Sequence, residues 1–132
     1  MDFVSIRIIT DDVARLVDFY ERATGVEASR FGEDFAELRT ASATLAIGST
    51  RTVTLFAPGA ARPAGNRSVI IEFLVDDVDG VHQNLSGFVE DFVKEPTTMP
   101  WGNRSLLLRD PDGNLVNFFT PVSPAAIEKF AR

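Results

Sequence analysis

A chain of 132 residues, 45% apolar and 24% charged, has the size and make-up of one compact domain that hides roughly two-thirds of its unfolded surface. Without cysteine it has no disulfides, zinc–thiolate sites or thiol nucleophile, and a net charge of −6 opposes a nucleic-acid backbone while suiting a cationic small molecule. No apolar run approaches the ~20 residues of a membrane span, and the start, MDFVSIRIIT, lacks the basic-then-apolar plan of a secretory signal. The expectation is a cytoplasmic protein with no nucleic-acid or membrane partner.

The chain repeats itself. IITDDVARL (8–16) matches FLVDDVDGV (73–81), so the Asp-Asp-Val triplets at 11 and 76 lie 65 residues apart. TLFAP (54–58) matches NFFTP (117–121), 63 residues apart. Two matches at nearly one offset predict a duplication, and each half is read in parallel.

In the first half, FVSIRII is a strand. Thr10 or Asp11 caps a helix whose Val13, Leu16, Val17, Tyr20 and Ala23 follow the i, i+3, i+4, i+7 pattern, and Gly25 ends it. Short strand-like runs follow at VEASRF, FAELRT, TLAIG and VTLFA, separated by Gly, Asp and Ser turns. The first module is expected over residues 1–57. Residues 58–67, PGAARPAGNR, read as a linker.

The second module, 68–121, opens with the strand SVIIEFLV. A helix carrying Val78, Val81 and Leu85 on one side ends near Gly87, and FVEDFVKE, RSLLLR and LVNFFT give three more strands. Residues 122–132 end the chain in a short helix with Ser123 as cap and Pro124 at its first position. The expected class is α+β: two tandem βαβββ modules. One such half leaves open edges; two make a curved eight-stranded mixed sheet with helices on one face and a concave pocket on the other.

Strand alternation separates the faces. Val4, Ile6 and Ile8, with Val69, Ile71, Phe73 and Val75 in the duplicate, form the apolar face expected under the helices. Ser5, Arg7 and Ile9, with Ile70, Glu72 and Leu74, form the mixed face expected to line the pocket. Arg7 and Glu72 hold the same place in the two halves. They are expected to meet there, either as a structural ion pair or as a pair that orients a polar ligand or moves a proton.

Near the C-terminus, DPDGN (110–114) sets oxygen-bearing side chains at alternate positions, as calcium loops do. An EF-hand counted from Asp110 requires Gly sixth and Glu twelfth, where this chain has Leu115 and Pro121. Pro111 suits a turn's second position, Gly113 allows positive φ, and Asp110 and Asn114 can cap amides, so the stretch predicts a hairpin.

The paired βαβββ pattern, the segment DDVARLVDFYERATG and the ending PWGNRSLLLRDPDGNLVNFFTP together resemble the vicinal oxygen chelate superfamily, the glyoxalase/bleomycin-resistance/extradiol-dioxygenase group. The resemblance spans almost the whole chain and implies that group's fold. Its enzymes hold a divalent metal with His or Glu from the first and last strands of each module. Carried over, those positions fall at Ser5 and Ile70 for the first strands, and at Thr54 and Asn117 for the closing strands, none a usual strong ligand. The sole histidine, His82, lies on the second helix at an expectedly exposed position. The expectation is therefore a pocket with no metal and no cofactor.

The resemblance then implies a bleomycin-resistance-type binding protein, a homodimer that sequesters an antibiotic or toxin. The alternative is a lyase, isomerase or dioxygenase with a non-standard metal site or with Glu72 as general base. The expected ligand-binding residues are Ser5, Arg7, Ile9, Thr54, Ile70, Glu72, Leu74, Trp101, Asn117 and Phe119. Trp101 serves either as packing at the sheet edge or as a stacking surface.

Overall fold

The first apolar alternation, in FVSIRII, becomes strand β1 (Ser5–Thr10). The chain turns directly into helix α1 (Val13–Thr24), which buries Leu16, Val17, Phe19, Tyr20 and Ala23. Its cap is Asp12, whose carboxylate accepts from the Arg15 amide; Thr10 and Asp11, the expected caps, lie two residues and one residue too early. Gly25 ends the helix in the left-handed conformation, with φ 73°. The computed structural model describes residues 1–131.

Strands β2 (Ser29–Arg30), β3 (Phe35–Arg39) and β4 (Thr44–Ser49) complete a four-stranded sheet in the order β1-β4-β3-β2. β1 runs parallel to β4, the other pairs antiparallel. Rows of small and branched residues, Ile8, Leu45, Ile47, Ala36 and Leu38, are buried on one face and build this unit's core with α1.

The expected strand VTLFA is instead part of helix α2 (Thr50–Phe56). Its Thr and Val residues favour strands, and tertiary contacts override that preference. Arg51 bonds Asp34 in the β2–β3 turn, and Val53 is buried. A Cβ on Gly48 would lie 2.8 Å from Thr52 Oγ1, so glycine there lets the helix fold close against β4. TLFAP and NFFTP are thus not equivalent: one is helical, the other strand.

The second unit repeats the plan with β5 (Ile70–Leu74), α3 (Val78–Leu85), β6 (Phe92–Thr98), β7 (Asn103–Arg109) and β8 (Leu115–Pro121). Its order, β5-β8-β7-β6, is the first sheet's order again. β6 starts four residues later than FVEDFVKE suggests and is irregular around Pro96, which has no amide to donate. Ile71, Leu106, Leu108, Val116 and Phe118 are buried with Val78 and Leu85 of α3.

Helix α4 (Pro124–Lys129) follows β8 as α2 follows β4, with Ser123 accepting from the Ala126 amide. Each module therefore reads βαβββα, and the terminal helix belongs to the repeat. The chain divides into two compact units, Met1–Gly65 and a second beginning at Asn66. The DPDGN turn forms as expected: Asp110 accepts from the Asp112 and Asn114 amides and from Asn114 Nδ2, and Gly113 has φ 83°.

Candidate functional site

Register decides which side chains share a face. In the first unit Arg7 lies beside Ala46, and Ala46 beside Glu37; the next row is Ile9, Gly48 and Phe35. In the second, Glu72 lies beside Asn117, and Asn117 beside Leu107; the next row is Leu74, Phe119 and Ser105. Arg7 and Glu72 thus hold equivalent places, and their strand neighbours Ala46 and Asn117 are equivalent as well, 71 residues apart.

This register corrects the placement of Thr54. It lies exposed on α2, its hydroxyl donating to the Thr50 carbonyl, and the closing-strand position of the first module belongs to Ala46. The false match arose because the true closing strand, TLAIGS, ends at Ser49, nine residues before TLFAP is complete, and α2 intervenes.

Arg7 is pinned by rings. Its guanidinium carbon lies 4.6 Å from the Phe35 centroid and 5.3 Å from that of Phe56, a cation–π arrangement. Phe56 reaches it because Gly48 admits α2. Arg7 makes no hydrogen bond or ion pair among the described residues. Ser5 is exposed beside Thr44, and Ile9 is half-buried.

Glu72 is exposed and accepts a 2.8 Å hydrogen bond from Asn117 Nδ2. An ionised carboxylate offers only acceptors, so the carboxamide must turn its NH₂ toward it and its oxygen away. Asn117 is 7% exposed, and its Oδ1 has no partner among the described residues. Ser105, 5% exposed and one row further on the neighbouring strand, also leaves its hydroxyl unpartnered. Phe119 is buried with its ring 5.0 Å from Phe130 of the terminal helix segment. Leu74 is half-buried beside Phe119, and Ile70 is exposed.

Trp101 is 67% exposed in the β6–β7 turn, outside the strands that carry Glu72, Asn117 and Ser105. His82 is half-buried rather than exposed, its ring edge-on to Phe92 at 5.1 Å. Each charge of the expected Arg7–Glu72 pair has partners within its own unit.

Sequence reading missed Ser105, Phe35 and Phe56. Ser105 was within reach: a hairpin at 110–114 pairs Arg109 with Leu115, and counting outward puts Ser105 opposite Phe119 on the Asn117 face. Phe56 was not, because its position depends on α2.

Two ion pairs with displaced carboxyl groups lie apart from these residues. The Arg51 hydrogen bond, helped by Ser49, holds Asp34 below the usual carboxylate range. Arg104 does the same for Asp79 through two bonds of 2.8 and 2.9 Å. They fasten α2 to the β2–β3 turn and α3 to β7.

The residues do not fit a divalent metal of the kind the fold group uses. Ser5, Ala46, Ile70 and Asn117 offer no imidazole or carboxylate, and Glu72 is a single carboxylate already bonded to Asn117. Among the described residues no group of three or more His, Asp or Glu side chains could hold a metal ion. Among the described residues no helix is long and apolar enough to cross a membrane.

The family model of the Glyoxalase/Bleomycin resistance protein/Dioxygenase superfamily matches residues 2–118. No curated protein matches the chain. Among solved structures, a glyoxalase/bleomycin resistance protein/dioxygenase from Nocardioides is 21% identical with a TM-score of 0.75, over 94% of this chain and 85% of that one. A glyoxalase/bleomycin resistance protein/dioxygenase family enzyme from Burkholderia phytofirmans PsJN is 18% identical with a TM-score of 0.80, over 92% and 100%. A glyoxalase-related enzyme from Fulvimarina pelagi is 16% identical with a TM-score of 0.76, over 90% and 87%. At these identities the likeness concerns the fold.

Proposed function

The chain belongs to the glyoxalase/bleomycin resistance protein/dioxygenase superfamily, and from that premise we propose that it binds a small organic molecule without a resident metal, sequestering it rather than turning it over. One observation carries this reading: the four strand positions where the fold group places metal donors hold Ser5, Ala46, Ile70 and Asn117. A metal-free binding face needs shape and a few oriented polar groups, and the second unit supplies them in Glu72, Asn117 and Ser105 beside Phe119 and Leu74. Sequestration of an antibiotic or toxin is the biological form that fits binding without chemistry.

Equilibrium dialysis against manganese, zinc, nickel and iron is expected to leave the protein metal-free. Native mass spectrometry of gently purified protein is expected to carry a small-molecule adduct. Stoichiometric metal binding that is lost on Glu72→Gln would overturn the metal-free reading, and turnover of the adduct compound would favour Glu72 as a base instead.

A homodimer accompanies this reading. Phe3, Leu55 and Phe56 are among the most exposed large apolar side chains of the first unit, an arrangement suited to coverage by a second copy. Light scattering across a concentration series is expected to show the dimer mass, and monomer throughout would remove this element.

A further inference from the structure

Buried polar groups are almost always hydrogen-bonded, and those that are not mark strain, bound water or a binding role. The second unit leaves four such groups among the described residues, and the two on side chains more than nine-tenths buried share one face: the Asn117 carboxamide oxygen and the Ser105 hydroxyl. They sit on adjacent strands in successive rows, since Asn117 pairs with Leu107 while Ser105 pairs with Phe119. Neither finds a partner among the described residues of the sheet. Glu72 fixes the amide by accepting from its NH₂, which aims the carbonyl away. Ser105 lies between Phe119, which offers no polar atom, and Thr97 of β6, whose hydroxyl donates to the Glu95 carbonyl and leaves the Ser105 hydroxyl unpartnered.

The chemistry of the three groups is one-sided. The Glu72 carboxylate and the Asn117 oxygen only accept, and the Ser105 hydroxyl can accept as well as donate. What satisfies them together is a group that mainly donates and carries positive charge. Resting on the small-molecule-binding reading above, we infer that the face formed by Glu72, Asn117 and Ser105 recognises a protonated nitrogen, an ammonium or amidinium head group, on an organic ligand. The exposed Glu72 meets the cation first. The orphaned Asn117 oxygen accepts a second N–H behind it, and the Ser105 hydroxyl takes a third or bridges through water. Phe119 and Leu74, in the same row as Ser105, offer apolar contact to the ligand body. The chain's net charge of −6 favours a cation's approach.

Three probes with one phenyl body and different heads test this: phenethylammonium, 3-phenylpropionate and 2-phenylethanol, titrated into ¹⁵N-labelled protein and followed by NMR. Phenethylammonium is expected to bind at least about tenfold more tightly than the other two, because charge-assisted hydrogen bonds exceed neutral ones by that margin. It is expected to shift the Asn117 side-chain NH₂ resonances. Glu72→Gln is expected to weaken it about tenfold and Ser105→Ala about fivefold. Ser105→Ala is also expected to raise the melting temperature of the ligand-free protein, which a hydroxyl with a purely structural role would not do.

Equal or tighter binding of phenylpropionate or phenylethanol, or unchanged phenethylammonium affinity in Glu72→Gln, overturns the inference and leaves small-molecule binding standing. Binding of none of the three also overturns it. Whether the broader reading falls with it is read separately, from the adduct in native mass spectrometry.

Discussion

The two units share one strand order and one helix plan, yet their equivalent polar positions carry opposite chemistry. The first presents a cation, Arg7, flanked by Phe35 and Phe56 above the small residues Ala46 and Gly48. The second presents an acid, Glu72, bonded to an amide, with Phe119 where the first has glycine. The faces that build the cores keep matching apolar rows, Ile8 and Ile47 in one, Phe73 and Phe118 in the other. Duplication preserved what the fold needs for burial and released the opposite face to diverge. Size matters as much as charge: glycine at 48 admits α2 and so creates the aromatic setting of Arg7, whereas Phe119 packs on Phe130.

The comparison is broken most forcefully through the cores. Ile47→Ala in the first unit and Leu106→Ala in the second, both fully buried, are each expected to cost about 2–5 kcal/mol in urea denaturation. A much smaller loss in one would show that its core is not the equivalent of the other.

The glycines beneath the short helices come next. Gly102 has φ 94°, and an added Cβ would lie 2.7 Å from Ser123 Cβ; Gly102→Ala is expected to cost about 2–4 kcal/mol, combining strain with overpacking. Gly48→Ala meets Thr52 Oγ1 without backbone strain and is expected to cost about 1–3 kcal/mol. In that variant the α2 amides should exchange faster with deuterium while those of α4 do not change.

Ser105→Ala sharpens the contrast from the other direction. It removes an unpartnered buried hydroxyl, so a gain of about 1 kcal/mol is expected by thermal or chemical denaturation.

The smallest effect is electrostatic. Asp34 and Asp79 have lowered folded-state values, so each contributes stability above the unfolded carboxylate value near 4 and loses it as pH falls through the lowered one. Wild type should exceed Asp79→Asn slightly at neutral pH, and the two melting curves should converge in acid. Added salt should shrink the neutral-pH gap, since both pairs are exposed.

Much of this was legible in residues. Alternation in SIRIIT and IIEFLV, the helical spacing from Val13 to Ala23, Gly25 and the DPDGN turn each follow from local geometry, and they carry the fold. The site was half legible: the Glu72 position followed from the repeat, and Ser105 required only counting from the hairpin. TRTVTLF misled because its residues prefer strands, and no local rule makes it helical.

By itself, the sequence determined the duplication, the apolar faces, the turn at 110–114 and the lack of His or acid at the expected metal positions, because each depends on neighbours in the chain or on residue chemistry alone. Tertiary structure alone decided that 50–56 is a helix, that Ala46 rather than Thr54 is the counterpart of Asn117, that Phe56 reaches Arg7, and that Asn117 Oδ1 and the Ser105 hydroxyl lack partners among the described residues. Those outcomes rest on contacts between residues distant in sequence, where a register of pairing and the space above one glycine outweigh local preference.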